Sequence, residues 1–385
     1  MVQFAHISDT HLGYRQFNNE SRENDFYESF NEAIDKIIKE HVDFVIHSGD
    51  LFESNRPYPR ALKVAQEAIM RLRDANIKFY AIPGNHDLVY RKGAMPPQTV
   101  FTIFDNFVLL GRKIKYVKHN DVFIGGVVYH PKFYVNALKE DLKIISTEAE
   151  SYSKRILIIH QALDRYLPFP GAFELRLEEL PTIFNYYAFG HIHRRILESY
   201  GEGIIAYAGS TDIWRMDEIP DYKEKKKGFY LVDFSKGEPE VQSINLESTR
   251  PFDSFSIETE DFDRKFKEIV SKVKVLSNSN SKKPVIRVTL VGNSIKEFPY
   301  YNSLISKELR KITLLTRVDF KVLAKEIAIE GYELMKIDLK RLFNEHFKDE
   351  NLAEFAYELF KKLAHENIDG AKKFAEYFFE QRWKP

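Results

Sequence analysis

Residues 4–17, FAHISDTHLGYRQF, decide the fold of this chain. The apolar run over residues 2–7 predicts a buried β-strand, because its length and composition are those of strands inside a sheet. Two chemically active side chains, Asp9 and His11, follow the run directly. In open α/β sheets, ligands bind beyond the carboxyl ends of the strands. The segment therefore predicts a strand whose carboxyl end carries part of a functional site.

The same arrangement recurs at four later points in the chain. The polar clusters that follow these apolar runs are Gly49-Asp50, Gly84-Asn85-His86-Asp87, His160 and Gly190-His191-Ile192-His193, and the runs cover residues 44–47, 79–82, 156–160 and 186–189. Glycine opens three of the clusters, and its permissive backbone allows a sharp turn that directs the next side chain into the site. We expect all five clusters to meet at one edge of a layered α/β domain.

The side chains in these clusters are of the types that hold divalent cations. The candidate ligands are Asp9, His11, Asp50, Asn85, His160, His191 and His193. The chain has no cysteine, which excludes thiolate ligands and favours Mn, Mg, Fe or Zn held by oxygen and imidazole. Two such ions about 3.5–4 Å apart can clamp both oxygens of a phosphoryl displacement, and they make hydroxide available by lowering the pKa of bound water. No protein nucleophile is then needed.

Composition limits the classes of function. The chain has 385 residues, which suggests two or three domains, and its 44% hydrophobic content is ample for buried cores. Lys+Arg and Asp+Glu are both 57, so a broad basic face for nucleic acid is not expected and any such contact should be local. We see neither a signal peptide nor a membrane-spanning run, and therefore expect an intracellular, cytoplasmic protein without a membrane partner.

The elements divide into three predicted regions. Residues 1–250 alternate β-like runs with helical segments, including an amphipathic helix over residues 25–40, and form the phosphoesterase domain. Residues 251–322 predict a small α/β domain. Residues 323–385 predict a charged helical tail, in which Asp369 and Gly370 mark the turn of a hairpin.

The tail hairpin has one strongly apolar face. Its members recur at three- and four-residue steps and include Leu352, Phe355, Leu359, Phe360, Phe374, Phe378 and Phe379. Such a face either packs on the body of the protein or docks on a partner, and its aromatic density favours a helical interface with a partner.

In its order D-x-H, G-D, G-N-H-D, H, G-H-x-H, the chain resembles the calcineurin-like metallophosphoesterase superfamily. The segments FAHISDTHLGYRQF, HSGDLFESNRPYPRAL and AFGHIHRR narrow the resemblance to the nuclease subunit of the DNA double-strand-break repair complex, whose bacterial form is of the SbcD type. The resemblance implies a metallophosphoesterase β-sandwich flanked by helices, with a DNA-facing cap domain and a tail that binds an SMC-like ABC ATPase. It also implies a homodimer that is associated with the nucleoid.

The resemblance assigns a role to each motif position. Asp9, His11 and His193 would hold one metal, Asn85, His160 and His191 the other, and Asp50 would bridge the two. His86 would position the phosphate or protonate the leaving group, and Asp87 would orient His86 or its loop. The implied activity is a Mn-dependent exonuclease and single-strand endonuclease that processes DNA ends.

One position departs from the family pattern. Many archaeal members have a histidine three residues after the bridging aspartate, which supports exonuclease action, whereas this chain has Glu53. A carboxylate repels phosphate unless it is protonated or paired, for which Arg56 is a candidate. The departure concerns exonuclease efficiency and not the metal site.

Basic residues near the motifs are candidates for contacts with DNA phosphates. They are Arg15, Arg56, Arg60, Arg91, Lys92, Arg194 and Arg195. Each one, taken alone, is more often a solvated side chain than a phosphate contact. Because phosphate contacts position DNA without reading its sequence, little sequence preference is expected. Two further histidines, His6 and His47, precede motif aspartates within predicted strands and are expected to be hydrogen-bonded core residues.

Two other functions remain open from the sequence. One is a phosphatase or small-molecule phosphodiesterase of the same superfamily, which explains the ligands but not the cap and the aromatic tail. The other is a non-catalytic scaffold that binds DNA or a partner, against which the complete ligand set weighs.

Overall fold

The structure is a computed structural model. It describes residues 2–89, 91, 93–167, 172–293, 295–322, 343–344, 346–347, 349–364, 370–372, 374–375 and 377–378. The strands are β1 Gln3–Ile7, β2 Phe44–His47, β3 Lys78–Ala81, β4 Phe107–Leu109, β5 Tyr116–His119, β6 Val122–Val127, β7 Lys154–His160, β8 Tyr186–Gly190, β9 Ile196–Tyr200, β10 Gly203–Tyr207, β11 Gly228–Asp233, β12 Glu240–Asn245, β13 Phe252–Glu258, β14 Val285–Gly292 and β15 Leu315–Val322. The helices are α1 Glu20–Lys39, α2 Pro59–Asp74, α3 Val135–Ala149, α4 Ile219–Lys225, α5 Phe262–Asn278, α6 Phe298–Leu309 and α7 Glu350–Ala364.

The first sheet has the order β12-β11-β1-β2-β3-β4. Strands β1 to β4 are parallel and β11 runs antiparallel to β1. Helix α1 begins earlier than the pattern predicted, because the side chain of Asn19 caps it by accepting a hydrogen bond from the amide of Ser21. The apolar faces of α1 and α2 cover one side of this sheet, where Phe30 and Leu72 are fully buried.

The second sheet has the order β5-β6-β7-β8-β10-β9. Its inner face packs on the first sheet around Phe4, Phe44, Ile156 and Tyr186, all of which are fully buried. Helix α3 covers its outer face. The two sheets therefore form the β-sandwich flanked by helices that the sequence predicted, with the carboxyl ends of β1, β2, β7 and β8 carrying motif residues.

The third sheet, β13-β14-β15, is parallel and is packed by α5 and α6. It is the small α/β region expected after residue 250. It lies in one compact unit with the sandwich, Met1–Leu323, so the predicted boundary at 250 falls inside this unit. A buried carboxylate accounts for the junction: Asp25 of α1 binds Arg250, at 2.6 Å, and Lys282, at 3.0 Å.

A second compact unit spans Ala324–Pro385. In it, the ring of Phe355 on α7 stacks on the rings of Phe374 and Phe378, at centroid distances of 5.6 and 4.0 Å. Part of the predicted apolar face is thus used within the tail itself, whereas Leu352 and Phe360 are exposed. Phe379 lies outside the described residues.

Among the described helices, none combines the length and the apolar character that a membrane span requires.

Candidate metal centre

Neighbouring turns bring the first two motifs together. The amide of Asp9 donates to the carbonyl of Gly49 at 3.1 Å, and the amide of His11 donates to the carbonyl of Asp50 at 3.1 Å. The turns after β1 and β2 therefore run side by side, as the parallel register of the two strands requires. Strands β7 and β8 repeat this arrangement in the second sheet and bring His160 next to Gly190.

Four candidate ligands adopt a backbone conformation that is rare for their residue type. The φ angles of Asp9, His11, Asp50 and His191 are 50°, 43°, 54° and 86°. Such left-handed conformations cost free energy and concentrate at functional sites. Four strained backbone positions in one cluster indicate a functional site, because the positioning of the side chains is maintained there at a cost in backbone free energy.

The glycines of the motifs act mainly by permitting close approach. Only Gly49, at φ 101°, has the turn conformation that the sequence analysis expected of all three. A methyl group on Gly49 would overlap the ring of His160, one on Gly84 would overlap the carboxylate of Asp50, and one on Gly190 would overlap the carbonyl of Ser48. Their absent side chains make room for the ligands themselves.

Asp9, His11 and His193 form the first group of ligand atoms. The Nε2 atoms of His11 and His193 are 3.2 Å apart, and Nε2 of His193 is 3.9 Å from Oδ1 of Asp9. An ion about 2.0–2.1 Å from each imidazole nitrogen would hold the two nitrogens about this far apart. The spacing and the donor types fit a divalent cation.

Asn85, His160 and His191 form the second group. Oδ1 of Asn85 is 3.0 Å from Nε2 of His160 and 2.9 Å from Nδ1 of His191. Nδ1 of His160 lies 2.7 Å from the carbonyl of Ser48, which accepts its proton and leaves the Nε2 lone pair facing the site. This group therefore also presents donors suited to a divalent cation.

Asp50 lies between the two groups, because its carboxylate has an oxygen within 4.8 Å of ligand atoms of both Asp9 and His160. Its Oδ2 is 3.2 Å from Nε2 of His160, and its Oδ1 accepts a hydrogen bond of 2.9 Å from the amide of His86. Burial alone would raise the pKa of the carboxyl, but the charges of His160, His11 and His86 outweigh burial and hold it well below its ordinary value. Asp50 is therefore a buried, ionised carboxylate in the position that a bridging ligand needs.

His193 has a carboxylate partner that the sequence did not reveal. Oε1 of Glu218 is 3.0 Å from Nδ1 of His193, and the other oxygen of Glu218 binds Lys227. Burial opposes ionisation of Glu218, but Lys227 and His193 together lower its pKa well below the ordinary value. Such a partner fixes which imidazole nitrogen faces a metal. No motif marks Glu218, since it follows the last ligand by 25 residues.

Glu53 has a different environment from the one expected. Its Oε2 lies 2.9 Å from Nδ1 of His11 and accepts a hydrogen bond of 2.9 Å from the indole Nε1 of Trp214. The candidate partner Arg56 is exposed at the surface. The carboxylate is thus held by the site itself. Trp214, which no motif in the sequence marks, also stacks on the ring of His11 at a centroid distance of 5.4 Å.

His86 is positioned beside the ligands and remains partly exposed. Its Nδ1 lies 2.9 Å from the carbonyl of Glu53, which accepts its proton, so Nε2 carries the lone pair. The ring contacts that of His11 edge to face, at 4.9 Å between centroids. A histidine held in this way can position a phosphate oxygen or move a proton.

Asp87 contacts backbone and not the open site. Its fully buried carboxylate accepts hydrogen bonds from the amides of Gly84, Phe52 and Leu51 at 3.0, 3.1 and 3.3 Å. Burial and the nearby charge of Asp50 raise its pKa to about 7, against the opposing amide bonds. Asp87 therefore ties the loop after β3, which carries His86, to the loop after β2.

The site opens into a cavity of about 540 Å³. Its lining includes Asp50, Asn85, His86, His191, His193, Tyr166, Arg194, Trp214 and Arg215. Four of the metal-ligand candidates and two arginines are thus among its lining residues. A concave site with convergent polar groups of this kind suits a charged substrate.

The candidate DNA contacts differ in their availability. Arg194 lines the cavity, and its Nη2 donates to the carbonyl of Tyr166 at 3.1 Å. Arg60 is exposed, with its guanidinium over the ring of Tyr27 at 4.9 Å. Arg15, Arg56 and Arg91 are exposed, and Lys92 lies outside the described residues.

Arg195 does not occupy the surface position expected of a phosphate contact. It is only 6% exposed, and its guanidinium donates to the carbonyl of Lys225 and to Oδ1 of Asn245. The sequence could not separate the adjacent arginines, because the backbone turn after His193 decides which of them points inward.

Comparison with known proteins places this geometry among phosphoesterases. Residues 2–195 match the family model of calcineurin-like phosphoesterases. The chain is 37% identical to the DNA double-strand break repair protein Mre11 of Methanococcus maripaludis, over 98% of this chain and 99% of that protein. It is 37% identical to the protein of the same name from Methanocaldococcus jannaschii, over 87% and 88% of the two chains, and 38% identical to that from Sulfurisphaera tokodaii, over 81% and 78%.

Proposed function

Since the chain belongs to the calcineurin-like phosphoesterases and, among them, to the Mre11 family of archaeal DNA double-strand break repair proteins, we propose that it is a metal-dependent nuclease that processes DNA ends. The observation that carries the proposal is the convergence of seven candidate ligand side chains, four of which line an open cavity together with His86. Two-ion centres of this type hydrolyse phosphate esters.

Each residue of the centre has a proposed role in holding the ions. Asp9, His11 and His193 would hold one ion, and Asp50, which lies between the two groups, would be a ligand of both. Asn85, His160 and His191 complete the second site. When bound, the two divalent ions, which we take to be Mn²⁺, supply a nucleophile from water and stabilise charge on the attacking and leaving oxygens.

His86 and Arg194 act on the substrate in this proposal. Because Nδ1 of His86 is held by the carbonyl of Glu53, Nε2 is the atom left to act on the substrate. Once Nε2 has taken up a proton from solvent, it can donate to a phosphate oxygen or pass that proton to the departing 3′ or 5′ oxygen. Arg194, on the cavity wall, supplies positive charge to the DNA backbone. Phosphate contacts of this kind suit both exonuclease and single-strand endonuclease action with little sequence preference.

We further propose that the protein acts in the cytoplasm, at the nucleoid, as a homodimer with an SMC-like ABC ATPase. The tail supports the partner proposal, since Leu352 and Phe360 on α7 are exposed apolar side chains next to an internally packed aromatic cluster. Exposed aromatic groups on a helix suit docking into a groove of a partner.

Digestion of end-labelled duplex and single-stranded DNA by the purified protein tests the nuclease proposal. We expect degradation with Mn²⁺ that disappears with a chelator and in the Asp50→Ala variant. An aryl phosphodiester offered in competition distinguishes a small-molecule phosphodiesterase. Absence of DNA cleavage under every metal condition, with intact cleavage of the small ester, would contradict the proposal.

A further inference from the structure

A buried nitrogen next to the metal centre lacks a hydrogen bond of good geometry. Nδ1 of His11 is buried and has no such partner. The acceptor 2.9 Å away is Oε2 of Glu53. If Nε2 of His11 faces an ion together with Nε2 of His193, then Nδ1 carries the proton, and a small rotation of the ring completes a bond to Glu53.

Glu53 is itself held in place. Trp214 donates its indole N–H to Oε2 of Glu53 at 2.9 Å. The indole ring also stacks on His11, with 28° between the planes, and meets His193 edge to face at 5.2 Å. Trp214 thus fixes both the carboxylate and the imidazole that it faces.

The histidines of the two ligand groups differ in the acceptors that face their second ring nitrogens. Both imidazoles in the Asp9 group lie against carboxylates, His11 against Glu53 and His193 against Glu218. In the other group, His160 donates to the neutral carbonyl of Ser48, and the carboxylate of Glu174 lies 3.8 Å from Nε2 of His191, beyond hydrogen-bond distance. A carboxylate behind a metal-bound imidazole raises its basicity more than a neutral acceptor does.

We propose that Glu53 is a positioning residue for His11, and that with Trp214 it makes the Asp9–His11–His193 site the tighter of the two metal sites. The inference rests on the two-metal centre of the proposed function and extends it. The carboxylate does not repel a substrate phosphate strongly, because one of its oxygens is already directed at the N–H groups of His11 and Trp214.

Calorimetric titration of the metal-free protein with Mn²⁺ tests the assignment. We expect two binding steps in the unsubstituted protein. Glu53→Gln keeps the shape of the side chain and removes its charge, and should weaken the tighter step by about 10- to 100-fold while leaving the weaker step unchanged. Trp214→Phe keeps the ring stacking, loses the N–H, and should weaken the same step by a smaller factor.

Glu32→Gln is the matched control. Glu32 is a similarly exposed glutamate, with 20% of its side chain exposed against 23% for Glu53, and it binds backbone amides of residues 247 and 248. It should leave both steps unchanged. The melting temperature of metal-free Glu53→Gln should equal that of the unsubstituted protein, as expected for a group that acts through the metal.

Three outcomes would overturn the inference. An unchanged isotherm for Glu53→Gln, or equal weakening of both steps, removes the special link between Glu53 and one site. A large fall in the melting temperature of the metal-free variant assigns Glu53 to the fold instead. If the unsubstituted protein does not bind two ions, the two-metal centre of the proposed function is wrong, and the inference is wrong with it.

Discussion

The carboxylate of Glu218 lies 3.0 Å from Nδ1 of His193, and its second oxygen binds the buried ammonium group of Lys227. Glu218 therefore joins a metal-ligand candidate to a cation that is only 3% exposed. Lys227 also donates to Ser210 at 2.7 Å. Through these contacts, the orientation of His193 depends on the fold of the segment after β10.

Glu218→Gln should destabilise the metal-free protein by about 3–5 kcal/mol, because it leaves the charge of Lys227 buried without a countercharge. Urea unfolding followed by circular dichroism measures the loss. The double variant Glu218→Gln/Lys227→Met should recover most of it, since both charges are then absent. A single variant as stable as the unsubstituted protein would show that the pair contributes little.

Asp50→Ala should abolish binding of both ions and all hydrolysis, since its carboxylate has an oxygen within 4.8 Å of Asp9 in one ligand group and of His160 in the other. Calorimetry with Mn²⁺ measures the stoichiometry. Asp43→Ala is a suitable control, because the carboxylate of Asp43 accepts from the amide of Gln3, at the opposite end of β1 from the motif. Two ions still bound by Asp50→Ala would refute the bridging role.

Much of the centre could be predicted from sequence because ligand type and strand-end position are local features. The apolar runs before Asp9, Asp50 and His191 determine where their turns lie, and all seven predicted ligands meet in the structure. The motifs follow strands of both sheets, and the carboxyl ends of these strands lie at the same end of the sandwich.

The residues that back the ligands were not predictable in the same way. Glu218 and Trp214 reach the centre through a loop whose path depends on tertiary packing, with the fully buried Arg22 binding Asp212 and the carbonyl of Ile213. Arg195 points inward for a similar reason, because its guanidinium donates hydrogen bonds to the carbonyls of residues 225 and 226. Such long-range contacts leave no periodic signal in the sequence.

His86→Ser should leave Mn²⁺ affinity nearly unchanged and reduce DNA hydrolysis by about 10²–10⁴-fold, the range for loss of a general acid or base. Single-turnover cleavage of a labelled strand, paired with calorimetry, separates the two effects. Near-normal cleavage by the variant would remove His86 from the mechanism, and loss of metal binding would make it structural.

The pH dependence of stability should contain a contribution from His6. Burial, with His47 nearby, lowers its pKa from 6.5 to about 3, and its ring nitrogens bind Tyr186 and Ser48 at 2.9 and 2.8 Å. The folded state disfavours protonated His6, so stability present above pH 6.5 is lost as pH falls towards 3, by about 1.4 kcal/mol per pH unit.

Urea unfolding of the metal-free protein at pH 7, 6 and 5 measures this slope. His6→Gln keeps polar atoms on the side chain. Below pH 6.5, its free energy of unfolding should fall with pH less steeply than that of the unsubstituted protein, by about 1.4 kcal/mol per pH unit. Equal slopes in the two proteins would mean that His6 is protonated in the folded state.

Substitution of both Leu352 and Phe360 by glutamate should abolish binding of the ATPase partner and spare hydrolysis of short DNA. These side chains are 36% and 43% exposed on α7, whereas Phe355 and Phe378 stack on each other. Co-purification with the ATPase measures binding. Substitution of the exposed Tyr58 near the start of α2 by glutamate is the control. A complex that survives the double substitution would put the interface elsewhere.

Anomalous diffraction from crystals soaked in Mn²⁺ tests the central claim most directly, because it locates each ion among named side chains. We expect two peaks about 3.5–4 Å apart, one next to Asp9, His11 and His193 and the other next to Asn85, His160 and His191, with Asp50 between them. A single peak, or peaks away from these residues, would contradict it.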